Sequence, residues 1–260
     1  MYSPTQYPLL LFVLSCIALW LSARIGWSFR KRHFALDEEL REDFGFILAA
    51  TLTLLGLIIG FSFSMATNRY DQRKNYEEAE ANAIGTECVR ADLLPEADAA
   101  RVRALLRKYL HERVLFYESA YNEQELQQIN ARTAQLQNEL WSAIRAPALA
   151  QPTPVMALVV SGMNDVLNSQ GYTQAAYWNQ IPTAAWALMA TIAIGCNLLV
   201  GYGSRSAKAG SKLLPILPIV VSIAFMLIAD IDAPRHGIIR VSPQNLINLA
   251  ESLPPPGATP

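Results

Sequence analysis

Four long runs of apolar residues constrain this chain more than any other feature of its sequence. They cover roughly residues 7–27, 44–66, 183–202 and 213–229, and none of them contains Asp, Glu or Lys. A helix needs about 20 residues to cross ~30 Å of hydrocarbon, and a helix of a soluble core would carry a polar stripe. The pattern therefore predicts four membrane spans, of which the fourth is the shortest.

The segment between the second and third runs has the spacing of helices. Apolar positions recur at helical intervals within residues 97–121, and Asn122 followed by Glu125 resembles a capping box. We expect the helix after Asn122 to be ended by its prolines, Pro147, Pro152 and Pro154. A shorter helix is expected over residues 155–168, and no period-2 run predicts a sheet.

The predicted fold class is an all-α membrane protein with four transmembrane helices and a helical extramembrane domain inserted between spans two and three. Residues 1–66 are expected to form the first transmembrane helix pair, 67–182 the helical extramembrane domain, 183–230 the second transmembrane helix pair, and 231–260 a C-terminal tail. The proline-rich end of that tail, residues 253–260, is expected to be disordered.

Charge follows the second span at once, yet nothing breaks the helical pattern there. Neither Pro nor Gly occurs between Ala66 and Ile84, and good helix formers fill the stretch from Glu77 to Ala83. We therefore predict one continuous helix from the second span to about Arg90, with only mild bending near Gly85.

Few residues suggest catalysis, a cofactor or a metal. The three histidines, His33, His111 and His236, lie far apart and share no motif, and the formal net charge of −1 predicts no nucleic-acid partner. A metal site at the carboxylates Glu77, Glu78 and Glu80 is one interpretation, but we expect them to face water. We predict no enzyme, no cofactor and no metal.

Two aspartates close the fourth span. Asp230 and Asp232 are followed by the sequence APRHG. An ion site is one interpretation of this pair, and a polar stop followed by a turn is the preferred one.

The second span carries two parallel stripes of residues. Every fourth position forms the first stripe, which consists of Thr53, Leu57, Phe61 and Met65. Small residues form the second, which consists of Gly56, Gly60 and Ser64. Small residues let a neighbouring helix approach closely in lipid. The first stripe lines a pore in one interpretation and packs inside a four-helix bundle in the other. Arg69, just beyond the span, would snorkel or pair with Asp71 or a neighbouring chain.

A resemblance to a known family bears on that choice. The sequence LIIGFSFSMATNRYDQR resembles the second transmembrane helix of bestrophins, in which a Gly-Phe pair is followed, eight residues after the Phe, by Arg and an aromatic residue. Here these residues are Gly60, Phe61, Arg69 and Tyr70. Three further segments are similar to a bacterial bestrophin-like membrane protein family known as a domain of unknown function. They are EANAIGTECVR from Glu80, LLP from Leu93 and IDAPRHGIIRVS near the C-terminus. That resemblance covers about residues 36–253.

The resemblance implies a pentameric anion channel with a hydrophobic neck. By alignment the neck positions are Thr53, Leu57 and Phe61, after which the helix leaves the membrane to form the wall of a vestibule. Because Thr53 brings a hydroxyl, the apolar ring is alternatively Leu57, Phe61 and Met65, with Arg69 at the pore mouth. A second aromatic residue after Arg69 is missing, and no acidic cluster resembles a bestrophin calcium site.

Orientation is predicted in opposite ways by two arguments. Bestrophins place both termini and the helical domain in the cytoplasm, whereas eight Lys and Arg residues flank the spans on the short-loop side against five on the other. This count slightly favours cytoplasmic short loops. We expect a multi-pass homo-oligomer of the bacterial inner membrane that conducts an anion across the lipid bilayer. The alternative is a non-conducting scaffold or sensor whose helical domain binds a partner.

Overall fold

The protein is built from helices in this computed structural model, which describes residues 6–32, 38–119, 122–204 and 213–253. Eight α-helices follow one another in these ranges: α1 (Pro8–Arg32), α2 (Glu38–Arg90), α3 (Glu96–Glu118), α4 (Glu123–Ala150), α5 (Pro154–Trp178), α6 (Thr183–Gly203), α7 (Ile216–Asp232) and α8 (Gln244–Ser252). The described residues contain no strand, so the all-α class is confirmed.

Three helical stretches are long and apolar enough to cross a membrane: Pro8–Arg30, Arg41–Leu93 and Pro154–Gly203. They contain the first three predicted runs, apart from the first residue of the first run. Helix α7 contains most of the fourth run and has 17 residues, somewhat fewer than the ~20 that a perpendicular span needs. Three candidate spans are therefore found, and the fourth span stays a prediction.

The chain forms two compact units. Unit 1 consists of Met1–Arg69 and Gln180–Ile239, and unit 2 of Tyr70–Asn179 and Arg240–Pro260. In unit 1, α1 packs against α6 and α7. The Ser22 hydroxyl donates to the Ile194 carbonyl at 2.7 Å, and the Arg30 guanidinium donates to the Gly203 carbonyl at 2.8 Å. These polar contacts and close helix packing hold α1 on α6.

Unit 2 has a core of apolar side chains buried between its helices. Helix α3 packs against α4, and apolar side chains between the helices are fully buried, among them Leu106, Tyr109, Ile129 and Leu140. The side chain of Asn122 caps α4 by accepting from the backbone N–H groups of Gln124 and Glu125, at 3.1 and 3.2 Å. The predicted cap at Asn122 is thereby confirmed, because these N–H groups have no partner within the helix.

Helix α2 is unbroken from Glu38 to Arg90, which confirms the continuous helix. Helix α4 ends at Ala150, after Pro147 and before Pro152, so the prolines end it as predicted, although Pro147 itself lies within the helix. The end predicted for the next helix was wrong. Helix α5 extends to Trp178 rather than ending near 168, since no proline follows before Pro182. The described residues do not include the final tail residues 254–260, residues 205–212 between the third and fourth runs, or His33.

Candidate functional site

The apolar part of α2 turns one face toward the rest of its own chain and the other away from it. Leu55, Ser62 and Ala66 are buried, and they lie seven and four residues apart on one side of the helix. Leu57 and Phe61, on the other side, are 51% and 60% exposed. Among the 18 most apolar consecutive residues of this helix, only 6% are buried within the chain. Most of this surface therefore has no cover from its own subunit.

Both stripes of the second span lie in this uncovered region. Thr53 is exposed like Leu57 and Phe61, and its hydroxyl donates to the Ala49 carbonyl of its own helix at 2.8 Å. Met65 is half-buried. The small residues Gly56, Gly60 and Ser64 are also exposed. A Cβ atom added to Gly56 or Gly60 would meet nothing within 4 Å, so a helix that packs on them has to come from another subunit.

Arg69 has its partner within its own chain, at a residue that the sequence did not suggest. Its guanidinium lies 3.5 Å from a carboxylate oxygen of Asp232, and both side chains are mostly buried. The other carboxylate oxygen of Asp232 accepts from the Ile181 backbone N–H at 2.9 Å. The partner is thus Asp232 rather than Asp71, at the end of α7. An ion pair at this depth links the end of the apolar part of α2 to the end of α7.

Asp230 organises the turn that follows α7. Its two carboxylate oxygens accept from the backbone N–H groups of Ile238 and Ile239, at 2.7 and 2.9 Å. Gly237 is required there, because a Cβ at this position would collide with the Asp230 carbonyl oxygen. The geometry favours a polar stop and turn over an ion site, since these contacts occupy both carboxylate oxygens.

Beyond Tyr70 the same helix buries carboxylates. Glu77 and Glu80 are 1% and 0% exposed, so our expectation that these carboxylates face water was wrong for both; Glu78 is exposed as expected. Two N–H groups of the first turn of α8, those of Asn245 and Leu246, donate to Glu77 at 3.0 Å. Glu77 therefore caps α8, where a negative charge is favourable.

Glu80 is the centre of a second buried network. It forms an ion pair with Arg113 of α3 and accepts hydrogen bonds from the hydroxyls of Tyr117 and Thr173, at 3.4 and 3.2 Å. Burial alone would lower the pKa of Arg113, but the negative charge of Glu80 outweighs it and raises that pKa. The guanidinium also lies 4.3 Å from the centre of the Phe116 ring. This network joins α2, α3 and α5.

Sequence reasoning did not identify several of these features. In unit 1, a Cβ at Gly201 would overlap the Ala23 backbone, and one at Gly26 would overlap the Leu198 backbone, so α1 and α6 touch through these glycines. Their position in two apolar runs was the available signal. Helix α8 was also missed, although Leu246, Leu249 and Leu253 follow Pro243 at helical spacing.

Comparisons with known proteins extend over nearly the whole chain. A family model described as the Bestrophin-like domain matches residues 9–246. No curated protein matches the sequence. The crystal structure of a bacterial bestrophin homolog from Klebsiella pneumoniae, solved by Zn-SAD phasing, is similar with a TM-score of 0.59 at 13% identity, over 95% of this chain and 99% of that chain. A mutated form of that homolog gives a TM-score of 0.60 at 12% identity, over 93% and 97% of the two chains. At these identities the likeness concerns the fold.

Proposed function

Because the chain belongs to the Bestrophin-like domain family, we propose that it is a homo-oligomeric ion channel of the bacterial inner membrane with four spans in each subunit. The exposed stripe of α2 is the observation that supports this most. Leu57 and Phe61 leave half or more of their surface uncovered, and other subunits around a pore would cover or confine it. The bestrophin resemblance implies a pentamer and an anion as the permeant ion.

In this proposal Leu57 and Phe61 form the narrowest part of the pore, flanked on the same stripe by Thr53 and Met65. Water leaves a narrow apolar ring readily, so the ring closes the pore by dewetting and needs no fixed charge. The edges of aromatic rings carry partial positive charge, which favours an anion over a cation at Phe61. We expect the wild-type channel to conduct little at rest.

The test is ion flux into liposomes that contain the purified protein. Replacing Phe61 by Ala in every subunit widens the ring, so we expect anion flux to rise several-fold or more, with a smaller rise for Leu57→Ala. Phe63→Ala is the matched control, because Phe63 is also exposed but lies about 200° around the helix from Phe61. Its flux should equal that of the wild type.

A second measurement separates this proposal from a scaffold or sensor. The mass of the detergent-solubilised particle should correspond to an oligomer, and its image should show an axial hole. A monomer would exclude the channel. An oligomer would also exclude it if the wild type, Phe61→Ala and Leu57→Ala all stay folded and none of them conducts ions. Phe61 would then be an ordinary packing residue, and the helical unit would bind a partner.

A further inference from the structure

Glu87 differs from the other buried carboxylates of α2. It is 0% exposed, as Glu80 is. Glu80 has Arg113 and two hydroxyls as partners, and Glu77 has the N–H groups of α8. Both carboxyl oxygens of Glu87, in contrast, have no hydrogen-bond partner among the described residues. A buried carboxylate without donors costs far more free energy than a buried neutral acid.

A glycine makes the space that the Glu87 side chain occupies. Gly162 lies on α5, and a Cβ atom there would overlap the Oε2 atom of Glu87 and crowd the Nη1 atom of Arg90. Met163 and Val166, also on α5, are fully buried in the apolar core of unit 2. The carboxyl group is therefore inserted between α2 and α5, in space that the glycine leaves and that a larger residue would make the carboxyl group vacate.

The nearest cation to Glu87, the guanidinium of Arg90, is shared with a second carboxylate. Arg90 lies one turn further along α2 and pairs at 3.9 Å with Asp165 of α5, whose side chain is 64% exposed. The neighbouring Cys88 is neutral, because burial raises the pKa of its thiol to about 11. The charges of Arg107 and Arg103, on α3, lower that pKa but do not outweigh burial. Burial raises the pKa of Glu87 from 4.5 to about 8, with Arg90 opposing the change and Asp165 adding to it.

We propose that Glu87 is a proton-operated switch within unit 2: the neutral acid keeps α2 packed on Gly162 of α5, and loss of the proton loosens that contact. An ionised Glu87 either stays buried without donors or moves toward water, and movement separates the two helices at Gly162. The switch concerns the packing of unit 2 and stands or falls independently of ion conduction.

The direction of the pH dependence follows from the raised pKa. When the helices are apart Glu87 is solvated and titrates near 4.5, whereas in the packed state it titrates near 8. The packed state thus binds the extra proton, and its added stability is fully present below the lower value. Stability falls as the pH rises between the two values, by at most about tenfold in the packing equilibrium per pH unit, and levels off above the higher one.

Hydrogen exchange of the full chain in detergent measures this equilibrium. We expect protection of the α5 amides around Gly162, after correction for intrinsic exchange rates, to fall steadily from pH 5.5 to about 8 and then to level off. Glu87→Gln, which mimics the neutral acid, should keep high protection throughout. Asp165→Asn removes the neighbouring exposed carboxylate and should retain the fall. Protection that is flat in the wild type, or that falls equally in Glu87→Gln, would overturn the proposal.

Infrared titration keeps the proposal testable if Glu87→Gln does not fold. The wild type should show a protonated-carboxyl band that disappears with a midpoint near 8. Gly162→Ala crowds the carboxyl group out of its space, so its band should titrate at least one pH unit lower. Absence of the band in the wild type, or an unchanged midpoint in Gly162→Ala, would show that Glu87 is not the switch.

Discussion

The two parts of α2 invert the usual distribution of residues between surface and core. Before Arg69 the helix exposes large apolar side chains, Leu57 and Phe61 among them, and buries Ser62; after Tyr70 it buries Glu77, Glu80 and Glu87. A helix in water would do the opposite. Exposing a Leu or Phe side chain to water costs roughly 1.5–3 kcal/mol, so the first part needs lipid or neighbouring subunits.

The two parts of α2 are therefore stabilised by different contacts, the first outside the subunit and the second within it. The apolar part has few partners in its own chain and depends on what surrounds the subunit. The charged part finds its partners inside unit 2, because Glu80 meets Arg113 and Glu77 meets α8. Substitutions in the first part should therefore affect assembly and conduction, whereas those in the second should affect folding of the subunit.

The largest loss of stability is expected for Arg113→Leu. If this variant were as stable as the wild type, the second part of α2 would not depend on its partners inside unit 2. Removing Arg113 leaves Glu80 charged and buried, because the ion pair has 0% exposure on both sides. Loss of one partner of such a pair costs about 3–5 kcal/mol. Denaturant unfolding of the purified protein, followed by tryptophan fluorescence, to which Trp141 and Trp178 of unit 2 contribute, measures the change.

Arg103→Leu is the matched control for that variant. Arg103 pairs with Asp92 on the surface, and both side chains are substantially exposed, so its removal should cost only about 0–1 kcal/mol. The double variant Glu80→Leu with Arg113→Met should recover part of the loss, since it removes the unpaired charge as well. Equal losses for Arg103→Leu and Arg113→Leu would refute the buried pair.

A smaller effect is expected at the glycines of unit 1. In Gly201→Leu the new side chain meets the Ala23 backbone, so α1 and α6 cannot approach and thermal stability in detergent should fall, by about 1–3 kcal/mol or more.

Gly56 has open space around it in its own chain. Gly56→Leu should leave the subunit folded but disrupt the oligomer, which size-exclusion chromatography with light scattering would detect.

The result for Gly56→Leu shows what covers the stripe of small residues. If Gly56→Leu keeps both its oligomeric mass and its melting temperature, then Gly56, Gly60 and Ser64 face lipid. Loss of subunit stability equal to that of Gly201→Leu would instead mean that the stripe packs within one chain, against the open space found around it.

Much of the local structure could be predicted from the sequence. The unbroken course of α2 and the cap at Asn122 depend on residues close together in the chain, where the absence of proline and the capping side chain are decisive. The exposed stripe at Leu57 and Phe61 was visible as a four-residue repeat. The end of α5 at Trp178 was less predictable, because no proline follows residue 168 until Pro182.

The polar pairs could not be predicted, because they join residues that are distant in sequence. Asp232 meets Arg69 from 163 positions away in the sequence, and no periodicity connects them. Glu80 and Glu87 lie seven residues apart on one helix, yet Glu80 forms an ion pair with Arg113, whereas neither carboxyl oxygen of Glu87 has a hydrogen-bond partner among the described residues. That difference depends on which residues α3 and α5 bring to each position, which only the packed structure determines.

The smallest effect is expected for a substitution that chooses between the two possible neck rings. The Thr53 hydroxyl donates to the Ala49 carbonyl of its own helix, so Thr53→Val should change stability by less than about 0.5 kcal/mol. If Thr53 belongs to the neck, valine removes a group that water can contact. The test uses a Phe61→Ala background, in which the pore conducts enough for a decrease to be measured.

In that background Thr53→Val should lower anion flux in liposomes roughly two- to tenfold, since the hydroxyl offers a hydrogen bond worth about 0.5–1.5 kcal/mol to passing water. Thr51→Val is the control, because Thr51 also donates to a carbonyl of its own helix, that of Ile47, but faces a different side. A decrease for Thr53→Val alone places the neck at Thr53, Leu57 and Phe61. Equal flux in both double variants would move it to Leu57, Phe61 and Met65, and Met65→Ala should then raise flux instead.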